Sequence, residues 1–107
     1  MTDDSTLGGY LQRHARPPAF EGSDGVPYSV DMYVNDMPDA AGRYGAAILF
    51  VRWSDAGDAP VGHLETDYLA HGQTVTEAQD QLHEISLQEL KTHLDRLIGE
   101  QRERPDW

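Results

Sequence analysis

Gly72-Gln73-Thr74-Val75-Thr76-Glu77-Ala78 is the stretch at which this chain changes period. Before it, apolar residues alternate or run unbroken. After it they recur every three or four positions, the step from pleated strand to helix. Thr74 stands three residues before Glu77, the spacing of a capping box that closes a first helical turn. The segment predicts a capped helix entered directly from a strand.

Two apolar stripes follow. Val75, Ala78, Leu82 and Ile85 form the first; Leu87, Leu90, Leu94, Leu97 and Ile98 form the second. At ~100° per residue, the second is rotated by roughly a third of a turn from the first. Either the helix bends near Ile85-Ser86, or it runs straight and serves two surfaces. In the straight form, residues 75–98 span roughly 36 Å at 1.5 Å per residue. Residues 75–85 then pack on the sheet, and residues 87–98 pack on the N-terminal segment or on a second copy. Leu87, Leu90, Leu94 and Leu97 are accordingly the expected interface of a homodimer.

Three strands are expected upstream. Over residues 28–35, Tyr28, Val30, Met32 and Val34 alternate with Ser29, Asp31, Tyr33 and Asn35, the pattern of a half-buried strand. Residues 44–53 carry the unbroken run Ala46-Ala47-Ile48-Leu49-Phe50-Val51, which suits a central strand. Over residues 61–70, Leu64, Thr66 and Tyr68 alternate with His63, Glu65 and Asp67. Ser23-Asp24-Gly25 is turn chemistry that pairs the Phe20 segment with Tyr28 onward as a hairpin. The expected fold is α+β: an antiparallel meander of three or four strands with one long C-terminal helix packed on one face. Its expected core is Val30, Met32, Val34, Ile48, Phe50, Leu64, Tyr68, Ala78, Leu82 and Ile85. Residues 1–9 read as a disordered N-terminus, residues 10–100 as the single domain, and residues 101–107 as a polar tail.

Strand, strand, strand, then Gly72, Thr74, Glu77 and Ala78 opening a helix resembles the small antitoxin domains of the HicB type, over residues 28–98. The resemblance implies a sheet with a packed helix and an antitoxin that binds a small basic toxin. Where that family usually has a Pro-rich turn before its third strand, this chain has Ser54-Asp55-Ala56-Gly57-Asp58-Ala59-Pro60.

The formal charge of −11 disfavours a nucleic-acid backbone as direct partner. The acids are scattered, Asp outnumbers Glu by 12 to 7, and one Lys stands against seven Arg, which suits a salt-adapted surface. No apolar run approaches the ~18 residues of a membrane span, and the Met1-Thr2-Asp3-Asp4 start is unlike a secretory signal, so a cytoplasmic protein is expected. Without Cys there are no disulfides or thiolate metal sites, and no cofactor motif is present.

Candidate chemistry is sparse. His63, Glu65 and Asp67 share a strand face and are the candidate cation ligands, against the plainer role of charges guarding an edge. His71, His83 and His93 are spread too far to share one metal within a chain; ten helical residues rise ~15 Å. Arg13, His14 and Arg16 are the local basic cluster, suited to a carboxylate or phosphate or to pairing with the chain's own acids. Asp36, Asp39, Asp55 and Asp58 lie at turns. Tyr33 and Trp53 point away from the helix and, if uncovered, form an aromatic patch of the kind that marks an interface. These features predict a non-enzymatic interaction module; the alternatives are a small-ligand or metal-binding enzyme near His63 and Glu65, or the HicB-like antitoxin.

Overall fold

The alternating and continuous apolar runs become strands of one antiparallel sheet, and the 3.6-residue stripes become helices that cover one side of it. The computed structural model describes residues 5–14, 16 and 18–102. In chain order the elements are α1 (Leu7–Arg13), β1 (Ala19–Glu21), β2 (Pro27–Val34), β3 (Tyr44–Trp53), β4 (Pro60–Glu65), β5 (Ala70–Gly72), α2 (Val75–Leu82) and α3 (Leu87–Arg102). The sheet runs β1-β2-β3-β4, and β5 pairs with the first residues of β3 on the same side as β4. The continuous run is indeed central, with Val30 opposite Phe50 and Phe50 opposite Leu64.

Ala46, Ile48 and Phe50 point to the helices and are fully buried, which settles the face of β3. Tyr28, Val30, Leu64, Ala70, Ala78 and Leu82 join them in the core. Met32, Val34 and Ile85 pack at its margin. Tyr68 does not belong to it, being 44% exposed. The expected third strand is broken after Glu65. There the Thr66 hydroxyl accepts the Ile48 N–H at 3.0 Å and donates to the Asp67 carbonyl at 2.7 Å. A side chain thus replaces one rung of the ladder and the backbone bulges outward. When pairing resumes, Ala70 is opposite Ala46, the place an unbroken strand would give Tyr68.

The helix is bent rather than straight. It stops at Leu82 and restarts at Leu87. Thr74 caps α2, its hydroxyl accepting from the Glu77 N–H at 3.0 Å. Ser86 caps the start of α3, accepting from the Glu89 N–H at 3.0 Å while its hydroxyl reaches the Glu89 carboxylate at 3.2 Å. Gly72 serves close packing, since a Cβ there would stand 2.6 Å from the Ala78 nitrogen.

Residues 5–9 form part of the fold and are no frayed end; residues 1–4 lie outside the described residues. Thr6 bridges Ser86, Leu7 N–H donates to the Ile85 carbonyl at 2.8 Å, and Leu87 N–H donates to the Ser5 carbonyl at 2.7 Å. These bonds occupy backbone groups exposed by the break between helices. Leu7 is buried at 1% exposure. Gln101 and Arg102 of the expected tail close α3, and residues 103–107 lie outside the described residues.

Candidate functional site: the open face of the sheet

Leu90 and Leu94 are fully buried within one chain, as part of the core that also holds Ile98. Leu87 and Leu97 are partly buried against it. The bend at residues 83–86 brings the second stripe onto the same core as the first, so the expected interface faces inward. It offers Leu90 and Leu94 to no partner while the chain stays folded.

The opposite face of the sheet carries no helix among the described residues. The residues that point to it are set by alternation with the core. Across β2, β3 and β4 they form cross-strand rows: Ser29–Val51–His63 and Asp31–Leu49–Glu65, with Tyr33–Ala47 beyond. Along β3, Leu49, Val51 and Trp53 are each partly exposed. Tyr33 is 45% exposed, and Val61, beside His63 on β4, is 50% exposed. Trp53 is held by its indole N–H, which donates to Ser29 Oγ at 2.9 Å.

Tyr68, expelled from the core by the bulge, lies across the same face. Its ring fills the space beside Gly45, where a Cβ would be 2.7 Å from the ring. Its hydroxyl accepts from Asn35 Nδ2 at 2.9 Å, and its ring meets His71 edge-on at 6.0 Å. Tyr33 and Trp53 were legible in the sequence as outward-facing; Tyr68 was not, because the Thr66 bulge has no period of its own.

The ion-binding candidates do not converge. His63 and Glu65 line a shallow hollow with Leu97, Glu100 and Gln101, while Asp67 lies in the bulge beyond. Among the described residues no group of three or more His, Asp or Glu side chains is placed to hold a metal ion. His71 is on β5, His83 in the break and His93 on α3. His14 and Arg16 line a cleft of about 270 Å³ with Leu7, Leu11, Val30, Met32 and Asp31. His14 stacks on Tyr10 at 4.1 Å. Among the described residues Arg13 and Arg16 form no salt bridge. The N-terminal arm is held by Leu7 and its backbone bonds, and the expected pairing with the chain's acids is absent among the described residues.

Asp39 is a turn-former. Its Oδ1 accepts from the Arg43 and Ala41 N–H groups, both at 2.9 Å. These bonds, the Arg43 one foremost, hold its carboxyl below the usual range. Asp58 accepts from Ser54 Oγ at 2.9 Å in the β3–β4 loop. No helix of the described residues is long and apolar enough to cross a membrane.

The fold thus defines an α+β domain in which the helices of the described residues all cover one side of the antiparallel sheet. Comparison with protein-family models, with curated proteins and with solved structures finds no match for this chain.

Proposed function

We propose that this chain is a non-enzymatic protein-interaction module that works through the open face of its sheet. The observation that supports this reading is the row Leu49, Val51 and Trp53 on β3, bordered by Tyr33, Val61 and Tyr68, with all three helices on the other side. Exposed apolar area of this kind is the usual mark of a contact surface. Aromatic side chains supply much contact at little entropic cost, which favours them at such sites. The C-terminal stripe is a poor alternative, because Leu90 and Leu94 already fill the core.

The test is affinity capture from extracts of the source organism, with the native chain beside the double variant Tyr33→Ser/Val51→Thr. Neither side chain is fully buried, so the variant should keep its circular dichroism. A partner identified with the native chain should be lost with the variant and kept by Arg96→Glu on exposed α3. Equal capture by native chain and face variant would remove the open face from the reading.

A further inference from the structure

We infer that the partner of this face is a basic amphipathic protein segment, an apolar stripe flanked by Lys or Arg, lying along β3; the inference rests on the interaction-module reading above. The charge distribution carries it. The middle of the face, along β3, is uncharged: Leu49, Val51 and Trp53 are partly exposed, and Ala47 beyond them is already buried at 1% exposure. The row through Leu49 ends in an acid on each side, Asp31 on β2 and Glu65 on β4. Both are exposed, as are Glu21 on β1 and Asp67 in the bulge.

Among the described residues one cation reaches the margin of this face: Arg43, which lines a hollow with Gly45, Tyr68 and His71 and is paired with Asp39 at 3.5 Å. The other cations lie on α1 and its link to β1, on α3, and at Arg52, which sits beside Tyr28 on the helix side. Besides Arg43, acids and tyrosines, the titratable groups of the described residues that reach the face are His63 and His71, both imidazoles.

The dimensions suit one occupant. Two strand spacings separate Asp31 from Glu65, about 10 Å, the diameter of a packed helix. Leu49 to Trp53 spans roughly 13 Å of strand, the length of about nine helical residues, so a 14-residue helix covers the row with a turn to spare. A helix laid there would cover the apolar row and set its flanking cations against the two acids.

A second copy of the chain fits less well. Face-to-face contact would bring acid rails together between molecules that each carry a charge of −11. Asp31 also blunts strand-by-strand pairing at the β2 edge, since its carboxylate accepts the Met32 N–H at 2.8 Å.

The experiment is an NMR titration of the full chain with a 14-residue helical probe peptide bearing a leucine stripe flanked by lysines. The expected result is saturable shifts at residues 47–53 and at the Trp53 indole. Affinity should fall about tenfold on raising salt, and about tenfold in Asp31→Asn/Glu65→Gln, as expected for paired charges at a partly exposed contact. Three results would overturn the inference. One is shifts confined to the helices. Another is equal binding of a matched peptide with glutamate in place of lysine. The third is concentration-dependent broadening of the same residues without peptide, which assigns the face to a second copy. If the peptide fails while a captured partner still depends on Tyr33 and Val51, the module reading stands and the basic chemistry falls.

Discussion

Tyr28 is fully buried, yet its hydroxyl donates to Asp24 Oδ2 at 2.9 Å and so sits against a carboxylate. Burial first, and then that neighbour, push its pKa from 10.0 up to about 12. The folded value is the higher one, so this tyrosine's contribution to stability is complete below about pH 10. It is lost as pH rises through about 12. A two-unit displacement corresponds to roughly 2–3 kcal/mol. Tyr28→Phe gives up the bond to Asp24 and should cost about 1 kcal/mol at neutral pH. The variant should then close the gap with the native chain, or overtake it, near pH 11. Urea midpoints of both proteins at about pH 8 and pH 11 check this. The same gap at both values would mean that Tyr28 ionises as it does in the unfolded chain. That Tyr28 shares a face with Val30 was legible from its alternation with Ser29, although the expected core left it out; its bond to Asp24 was not legible, because a turn residue four positions away carries no periodic signal.

The two C-terminal helices show what alternation leaves open. Their stripes are a third of a turn out of phase, and the phase break alone permitted either a bend or a second surface. Ser86-Leu87-Gln88-Glu89 contains the deciding signal, a second capping box of the same form as Thr74 to Glu77. A cap inside a supposed continuous helix is an argument for a new helix. With the bend in place, Leu90 and Leu94 become core residues, and their substitution has a definite cost. Leu90→Ala or Leu94→Ala should each lose about 2–5 kcal/mol. The double change Leu90→Glu/Leu94→Glu should leave the chain unfolded by circular dichroism, because neither carboxylate has a partner inside the core. A folded double variant of unchanged helix content would return the stripe to the surface. The break of β4 from β5 was hidden for a different reason. Thr66 fits an alternating strand as well as it fits a bulge, and only the hydroxyl's bond to Ile48 distinguishes them. That one bond moves Tyr68 from the expected core to the open face. The long-range contacts of residues 5–9 left even less trace, since Thr6 and Ser86 meet as a backbone bridge, which has no side-chain pattern.

The molecule as assembled has its helices gathered on one side, an apolar row on the other, and a net charge of −11 spread around both. The first two features favour association and the third opposes it between identical copies. Charge repulsion acts over a Debye length of about 10 Å at 0.1 M salt and about 3 Å at 1 M. At low salt the acid rails at Asp31 and Glu65 should therefore keep the open faces of two copies apart. The chain is expected to be monomeric by light scattering in dilute buffer. At molar salt the repulsion is screened while apolar attraction persists, so any association should appear there and should weaken in Tyr33→Ser/Val51→Thr. A dimer already present at low salt and indifferent to those substitutions would place self-association elsewhere on the surface. A dimer at low salt that the substitutions abolish would instead make the second copy the natural occupant of the face, because contact would then be strong enough to outweigh the full unscreened charge.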